Sequence, residues 1–444
     1  MKAGFGKVDI TPRVGVELCG FGPYLNRCST RVLEPLYVRA MAVEVDGRHW
    51  VLVSCDLIGF SPPLIRQIRE LVRRATGWRD DEIMVHATHT HSGPCTAELI
   101  GWGQPDPLYL AVLPRFVAQA CTAAVRDLQP ASFHYAEVPA TGFSYNRELP
   151  APGHNLDLVL AGKWVTDKPD ETDTTAHVIR IDRAGKCAGF LTYFSCHPVV
   201  CCAANREIHG DFVGVATNRI EREQPGAVGL FLQGAQGDIN SNFVHGSAEQ
   251  SLVALEKFGA QFAEVIRTGL RAAQPVAVTR VASAISDAPY TFAPVDVGAL
   301  RAQLAENEQI VAGALPGCDS TAARLAMVRI EGLRIILSRH ERGEVPDRPL
   351  TVQALRLGPV TLTGAPLELM HRIKRRFQAE LGRQALLMSI TNGWIGYAPL
   401  REYYQTPPER YAASFVPVMT GVIPFTANFE DEVLAATLNV ARKV

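Results

Sequence analysis

Hydrophobic and polar residues alternate along the first third of the chain in patterns that predict strands and helices in turn. Apolar residues fill 37–45 and 50–57 on either side of the Asp46-Gly47 turn, which predicts a hairpin. Leu, Ile and Val recur at helical spacing over 63–75, and a second helix is predicted near 108–128. Between these helices the apolar run 83–85 predicts a buried strand. Strand-helix alternation of this kind favours a layered α/β fold.

The second half continues the same alternation. Asp211 is the expected N-cap of a helix that runs through Glu223, and two later helices are predicted within 296–344 with a break at Pro316-Gly317. The other predicted elements are strands at 175–182, 189–195, 229–232, 350–357, 360–363 and 385–390, and helices at 249–273 and from about 370 to 381. No repeat or linker composition interrupts the pattern. We therefore expect one domain spanning 1–444, an α/β/α sandwich with a mixed sheet and a metal site at strand ends.

Histidines cluster where the strand at 83–85 runs out, in the stretch 86–94 that ends in Ser-Gly-Pro. In an extended strand His89 and His91 would share one face and His86 would lie on the other. Neutral imidazole is a common ligand of divalent metals, so the pair predicts one corner of a metal site. Hydrogen-bonded histidines capping a strand are the alternative. His197, which also follows a strand and precedes a proline, is the natural third imidazole.

Other polar residues near predicted strand ends allow two interpretations each. Asp56 can support a metal site or cap the next segment, and Glu368 can be a ligand or complement a helix dipole. Arg147 can anchor a substrate oxygen or form a surface ion pair. The glycine-rich turn around Asp238 can approach a ligand or be a plain turn. Tyrosines 403, 404 and 411 indicate a pocket wall.

Composition limits the partners. The chain has 444 residues, 47% of them hydrophobic, and a formal net charge of -1, so no overall field attracts nucleic acid and a small-molecule substrate is expected. Its ten cysteines lack paired spacing, and those at 196, 201 and 202 are more simply buried thiols than ligands. Because no secretion signal or membrane-length apolar run is visible, we expect a cytoplasmic protein without stable membrane anchoring. The oligomeric state does not follow from the sequence.

Several motifs, taken in order, resemble the catalytic domain of the neutral ceramidases, zinc-dependent amidases that cleave the N-acyl bond of ceramide. They are Asp9-Ile10-Thr11-Pro12, the Thr-His-Thr-His-Ser-Gly-Pro run at 88–94, Phe194-Ser195-Cys196-His197-Pro198, Gly237-Asp238, Pro366-Leu367-Glu368, and Tyr397 followed by Tyr411-Ala412-Ala413-Ser414. The run at 88–94 is the most specific of them. The resemblance spans nearly the whole chain.

The resemblance implies roles for individual residues. The zinc ligands would be His89, His197, Glu368 and Tyr397. His91 would carry protons beside the metal, while Arg147 and Tyr411 would contact the substrate amide.

One departure from the family pattern bears on the mechanism. Asn240 stands where the ceramidases have a serine assigned as nucleophile, and an amide is not a nucleophile. Unless Ser241 takes that part, we expect attack by a metal-activated water on the N-acyl amide bond of a small soluble substrate. The chain also ends at Val444 without the immunoglobulin-like domain of true ceramidases, so long-chain ceramide at a membrane is not expected. Esterase or lactonase activity, lyase or isomerase chemistry, and a non-catalytic metal-binding homologue are the alternatives.

Overall fold

Strands and helices alternate along most of the chain in the computed structural model, which describes residues 1–150, 156–244, 246–314, 320–405 and 410–444. The strands are β1 (Lys2–Asp9), β2 (Arg31–Val32), β3 (Tyr37–Val45), β4 (Arg48–Cys55), β5 (Ile83–Ala87), β6 (Gln129–Pro130), β7 (Ser132–Pro139), β8 (Ser144–Asn146), β9 (Thr175–Arg183), β10 (Lys186–Phe194), β11 (Glu207–Ile208), β12 (Val228–Gln233), β13 (Ile239–Ser241), β14 (Gln274–Val276), β15 (Val281–Ala288), β16 (Leu350–Leu357), β17 (Val360–Gly364), β18 (Glu368–Leu369), β19 (Ala385–Met388) and β20 (Tyr397–Ala398). The helices are α1 (Pro62–Thr76), α2 (Pro107–Arg126), α3 (Leu156–Leu160), α4 (Asp211–Glu223), α5 (Ala248–Ala272), α6 (Val297–Ala312), α7 (Thr321–Glu341), α8 (His371–Leu381), α9 (Val416–Met419) and α10 (Phe429–Ala441).

Three larger sheets form the β layer. Their strand orders are β5-β4-β3-β1-β6, β12-β10-β9-β7-β14 and β15-β16-β17-β19. Antiparallel pairs predominate, but β4 with β5, β10 with β12 and β17 with β19 are parallel. The predicted α/β class with mixed strand pairing is confirmed, and the structure adds that the β layer contains several sheets.

Alternation along the strands explains why sheets and helices pack in layers. In β4, Trp50 and Leu52 face the cluster between the sheets, whereas Val51 and Val53 face the cluster formed with the helices. In β10, Leu191 points into the inter-sheet cluster. Each of these strands is therefore buried on both faces, which accounts for its nearly continuous apolar sequence.

Helix α2 packs directly against β1, and two glycines of that strand make the approach possible. A Cβ on Gly4 would lie 2.0 Å from the carbonyl oxygen of Ala124, and one on Gly6 would lie 2.1 Å from that of Ala120. The helix is long and apolar enough to cross a membrane, with a mean hydropathy of 1.5. The Gly-lined contact with β1 accounts for that composition, because this face of the helix is core.

The observed elements match the predicted ones closely, with one correction at α4. Gly210 precedes the helix and Asp211 is its first residue, with a φ of 52°. The Asp211 carboxylate accepts hydrogen bonds from the N–H of Phe212 at 2.7 Å and of Val200 at 3.3 Å, so it holds a loop as well as the helix start. The predicted break at Pro316-Gly317 lies outside the described residues.

Backbone hydrogen bonds join the carboxyl ends of strands from different sheets. The N–H of Ala87 donates to Ile390 O at 3.1 Å, linking the end of β5 to the segment after β19. The N–H of Ser389 donates to Gln233 O at 3.1 Å, and within one sheet the N–H of Gly234, after β12, donates to Phe194 O at the end of β10 at 2.9 Å. Loops that leave these strands are thereby brought to one place, where ligands commonly bind in α/β folds.

Candidate metal centre

The first two histidines of the site follow β5 through a turn. His89 has a φ of 70°, and its N–H donates to Leu57 O at 2.9 Å. The extended geometry expected for this stretch ends at Ala87, yet the turn still places His89 and His91 together. Their Nε2 atoms lie 3.3 Å apart and their rings meet at 82°.

Backbone carbonyls fix the protonation of two rings. Nδ1 of His89 lies 2.6 Å from Ile58 O, and Nδ1 of His197 lies 2.7 Å from Gln236 O. A carbonyl only accepts, so each Nδ1 carries the proton and each Nε2 presents a lone pair. Second partners of this kind are what orient metal-binding histidines in proteins.

Glu368 completes a group of electron-pair donors. Its Oε2 lies 3.0 Å from Nε2 of His197 and 3.5 Å from Nε2 of His89, and it is buried without a hydrogen-bond partner. Its Oε1 accepts from the indole N–H of Trp394 at 2.9 Å. Burial alone would raise the pKa of Glu368, but the neighbouring histidines hold it well below its usual value.

The donor set fits a divalent cation. Two imidazole lone pairs and a carboxylate oxygen face one another at short range with no proton between them, an arrangement that repels unless a positive charge sits at its centre. Ligand nitrogens of His89, His91 and His197 also lie within 4.8 Å of one another. The structure therefore brings together three of the residues predicted as ligands and places His91 beside them.

Tyr397, the fourth predicted ligand, is held next to Glu368 by strand pairing. Glu368 and Tyr397 are register partners in the short parallel pair of β18 and β20. The phenol oxygen lies 3.1 Å from Nη2 of Arg147, and burial and the Glu368 carboxylate raise the pKa of Tyr397 well above its usual value. Its oxygen thus faces both the carboxylate and a fixed cation.

His91 is anchored differently from the other two rings. Its Nδ1 is buried without a partner, and its Nε2 lies 3.3 Å from the Nε2 lone pair of His89. Phe21 packs edge-on against the ring with centroids 5.2 Å apart. Gly20, with a φ of 104°, lies so close that an added Cβ would be 2.5 Å from the His91 ring. Burial and the other two histidines hold the pKa of His91 well below its usual value, so the ring is neutral at neutral pH.

Arg147 lies behind Tyr397. Its Nη2 donates to Gly237 O at 2.6 Å as well as to the phenol oxygen, and its Nη1 lies 3.4 Å from Oδ1 of Asn240. With the residues that the structure describes, this guanidinium does not form the surface ion pair considered from sequence. Contact of Arg147 with a substrate amide stays a prediction.

Tyr411 stands at the mouth of the site. It begins the helical turn Tyr411–Phe415, is 43% exposed, and meets the Tyr397 ring edge-on at 5.9 Å. Tyr403, by contrast, is buried and packs under Arg410. Of the three tyrosines predicted to form a pocket wall, Tyr411 lines the cavity, together with Tyr397, whereas Tyr403 and Tyr404 are not part of its lining.

The hydroxyl of Ser241 faces away from the centre. Asn240 and Ser241 are adjacent in β13, so their side chains point to opposite sides. Asn240 turns towards Arg147, while the Ser241 Oγ donates to Phe243 O at 2.8 Å and is fully buried. Ser241 does not take the place of the family's serine in this structure.

Asp238 connects the pieces that carry the site. Its Oδ1 accepts from the N–H of His371 at the start of α8, and its Oδ2 accepts from the Asn146 side chain. Its carbonyl accepts from the N–H of Arg147 at 2.8 Å. Burial raises the pKa of Asp238 to about 6. The sequence allowed either a turn that approaches a ligand or a plain turn. The structure supports the second, because Asp238 is buried and its hydrogen bonds join segments of the fold.

Other candidates from the sequence lie outside the centre. Asp56 pairs with Arg39 at 2.7 Å and accepts from the N–H of Tyr37, so it supports the fold. Both ring nitrogens of His86 are engaged, one at 3.2 Å from Oγ1 of Thr391 and one accepting from the N–H of Gln233. Cys196 and Cys202 are buried thiols.

A second buried group, Cys201, His209 and Asp211, also has ligand atoms within 4.8 Å of one another. The N–H of Asp211 donates to Nδ1 of His209, which leaves the proton of the neutral ring on Nε2. Burial and Asp211 raise the pKa of the Cys201 thiol well above its usual value. This group offers protonated atoms where the first centre offers lone pairs, so its chemistry does not fit a metal.

Sequence reasoning missed the groups that orient the ligands. Trp394, the carbonyls of Ile58 and Gln236, and Gly20 all act on the site although none of these groups is charged. Trp394 could have been found, since it lies in the Asn-Gly-Trp turn after a buried strand. The two carbonyls could not have been found, because every residue has a backbone carbonyl and only the folded geometry decides which of them meets a ring nitrogen.

Comparison with known proteins agrees with this architecture. Among the solved structures that match are a neutral ceramidase from Pseudomonas aeruginosa, with a TM-score of 0.73 at 20% identity, and a ceramidase complexed with C2, with a TM-score of 0.72 at 18% identity. The matches cover 100% and 99% of this chain and 75% and 74% of those chains. At this identity they establish the fold.

Sequence comparison gives relatives with the same name. The chain is 24% identical to the neutral ceramidase of P. aeruginosa, over 92% of this chain and 67% of the relative. It is 26% identical to the neutral ceramidase of Mycobacterium tuberculosis, over 54% of this chain and 40% of the relative. Residues 1–256 match the family described as neutral/alkaline non-lysosomal ceramidase, N-terminal. This match includes His89, His91 and His197, and the chain belongs to the neutral/alkaline ceramidase family.

Proposed function

We propose that this protein is a zinc-dependent amidase that cleaves the N-acyl bond of a small soluble substrate. The observation that carries the proposal is the convergence of two Nε2 lone pairs and an unpartnered carboxylate oxygen at His89, His197 and Glu368. Nitrogen and oxygen donors of this kind suit zinc, and membership of a family of amidases supports the reaction. A bound zinc ion would supply Lewis-acid polarisation of the amide carbonyl and a more acidic water.

His91 is the proton carrier in this proposal. Its Nε2 lies 3.3 Å from Nε2 of His89, so the ring stands beside the ligands, and its Nδ1 is buried without a partner. A neutral ring of this kind can take a proton from the attacking water and return it to the leaving nitrogen. Gly20 and Phe21 hold the ring in place from the other side.

Tyr411 and Arg147 are proposed to stabilise the oxyanion, and Tyr397 is proposed as the fourth zinc ligand. Tyr411 lines the cavity beside the ligands, and Tyr397 receives a hydrogen bond from Arg147. Arg147 acts on the phenol of Tyr397 in this arrangement, and its other contacts with Gly237 and Asn240 keep the guanidinium fixed. Preorganised donors of this kind commonly account for the largest part of rate enhancement.

Ester or lactone hydrolysis is the second candidate, because the same metal and oxyanion groups serve both carbonyls. The test uses the zinc-loaded protein, the chelator-treated protein and a panel of N-acyl compounds with matched ester analogues. We expect amide cleavage that disappears on chelation and returns with zinc. Cleavage of the esters without cleavage of any matched amide would favour the second candidate, and absence of any turnover would favour a metal-binding protein.

A variant separates the roles of the histidines. His91→Ala should lower kcat by about 10²–10⁴-fold while zinc content stays near that of the wild type, because the ring moves protons without holding the metal. His340→Ala, at an exposed position on α7, is the matched control and should change neither quantity. Loss of zinc from the His91 variant would instead make His91 a ligand.

A further inference from the structure

The two carboxylate oxygens of Glu368 have different surroundings. Oε2 is the oxygen that approaches the imidazoles, at 3.0 Å from Nε2 of His197 and 3.5 Å from Nε2 of His89. Oε1 accepts a hydrogen bond of 2.9 Å from the indole N–H of Trp394. Both Glu368 and Trp394 are buried, and a hydrogen bond away from bulk water is electrostatically stronger than an exposed one. One oxygen is therefore already engaged before any ion binds.

Main-chain hydrogen bonds hold the turn of Trp394 against the segment that carries Glu368. The N–H of Ile395 donates to Pro366 O at 2.8 Å, and the N–H of Glu368 donates to Gly396 O at 2.9 Å. Gly396 has a φ of 124°, a conformation that glycine adopts without strain. The indole is thus placed beside the carboxylate by the backbone on both sides of it.

One short segment after β4 joins this turn to a histidine ligand. The N–H of Trp394 donates to Phe60 O at 2.9 Å. The N–H of His89 donates to Leu57 O at 2.9 Å, and its Nδ1 donates to Ile58 O at 2.6 Å. The same few residues therefore orient the imidazole of His89 and the ring that orients the carboxylate.

The chemistry of an indole suits this position. Its N–H only donates and carries no charge, so it engages Oε1 and leaves the negative charge of Glu368 for a cation. A carboxylate held in this way offers one oxygen to an ion between the imidazoles. Zinc binds to small sets of nitrogen and oxygen ligands, whereas manganese and calcium prefer about six or more ligands, mostly oxygen, and calcium often takes both oxygens of a carboxylate.

We infer that Trp394 is a positioning residue that keeps Glu368 a one-oxygen ligand and thereby widens the preference of the site for zinc over manganese. The inference rests on the zinc site of the proposed function. Trp394 acts on the ion through Glu368, by donating its indole N–H. The alternative is that its ring only fills space beneath the ligands, and the two roles predict different effects of substitution.

Two substitutions separate the hydrogen bond from the packing. Trp394→Phe keeps an aromatic ring but removes the N–H. Trp394→His removes the second ring but keeps a donor, because Nε2 of an imidazole lies in the same place relative to Cβ as Nε1 of an indole. A donor role predicts that the Phe variant is the more impaired in metal binding, and a packing role predicts the reverse order.

The dissociation constants for zinc and manganese are measured on the metal-depleted full chain by competition with a chelating dye. We expect Trp394→Phe to raise the Kd for zinc by about 10–100-fold and Trp394→His to change it by less than about fivefold. The ratio of the manganese Kd to the zinc Kd should narrow by about tenfold in the Phe variant alone. The visible absorption of bound cobalt(II), which weakens as its number of ligands rises, should fall in the same variant.

Trp50→Phe is the matched control. The Trp50 indole N–H donates to Arg356 O at 3.0 Å in the core between the sheets, so this variant also loses a buried indole hydrogen bond. Its zinc affinity and cobalt spectrum should equal those of the wild type.

Unchanged zinc affinity and metal preference in Trp394→Phe, or a greater loss of zinc from Trp394→His than from Trp394→Phe, would overturn the inference. If the Phe variant does not fold, the His variant decides, because zinc binding near that of the wild type supports the donor role and loss of zinc from the folded variant contradicts it. A wild-type protein that binds no zinc would instead count against the proposed function itself.

Discussion

Oε2 of Glu368 lies 3.0 Å from Nε2 of His197, and in the neutral ring no proton lies between them. The proton of His197 is on Nδ1, where it is donated to Gln236 O at 2.7 Å. Two electron-rich atoms at this distance repel each other unless a cation or a second proton intervenes. This contact is the clearest physical sign that the site is built for a metal.

Removal of either imidazole should therefore remove the metal. His197→Ala or His89→Ala should leave less than about a tenth of the bound zinc of the wild type, because each deletes a nitrogen ligand from a small set. Each should also lose most of the rise in melting temperature that zinc gives to the wild type. Metal analysis of the purified proteins and thermal melts with and without chelator measure both effects. Full zinc content in both variants would mean that the site is elsewhere.

Ser241→Ala should leave activity within about twofold of wild type, because the hydroxyl donates to Phe243 O and faces away from the ligands. The lost hydrogen bond should lower the free energy of unfolding by about 1 kcal/mol. Steady-state kinetics and urea unfolding check the two parts separately. A loss of activity of several hundredfold in a stably folded variant would contradict this prediction and would support Ser241 as a nucleophile.

The buried carboxyl of Asp211 should make the free energy of unfolding depend on pH. Burial raises the pKa of this carboxyl from 3.8 to about 6, so the folded protein keeps a proton that the unfolded chain releases. The contribution of the group to stability is greatest below about pH 4, falls as pH rises, and is lost above about pH 6. Asp211→Asn removes this titration and suits the positive φ of the position. We expect the variant to gain about 2–3 kcal/mol relative to wild type between pH 4 and pH 7, measured by urea unfolding.

A constant difference across that pH range would show that Asp211 does not titrate there.

The buried pair of Lys374 and Asp173 should be costly to break. Both side chains are nearly inaccessible, and Asp173 also accepts from the N–H of Ser195, two residues before His197. Lys374→Met leaves an unpaired buried carboxylate, so the free energy of unfolding should fall by about 3–5 kcal/mol. Adding Asp173→Asn should restore part of that loss.

The exposed pair of Lys2 and Glu44 provides the comparison for this prediction. Lys2 is about half exposed, and Lys2→Met should change stability by less than about 1 kcal/mol. Equal effects of Lys374→Met and Lys2→Met in denaturant unfolding would contradict the burial argument.

Much of the fold could be predicted because the patterns that determine it are local. The helix expected over 63–75 is observed as Pro62–Thr76, and the strand expected at 350–357 has those limits. Periods of 3.6 and 2 residues record which side of an element is buried, and a turn such as Asp46-Gly47 fixes the next reversal. Asp211 was misplaced as an N-cap because its carboxylate is used by the distant Val200, which no local pattern reveals.

Within the candidate site, the sequence identified side chains and the tertiary structure decided which of them meet. His89, His197 and Glu368 each follow an apolar strand, and this local property predicted them as possible ligands. Whether Glu368 Oε2 faces the imidazoles, and whether Ser241 faces them, depends on how three sheets join at their strand ends. The cavity beside the ligands is lined by residues as distant in sequence as Ala97 and Met419. Residue type and spacing are properties of neighbours along the chain, whereas lone-pair direction and the lining of a cavity arise only when distant segments pack together.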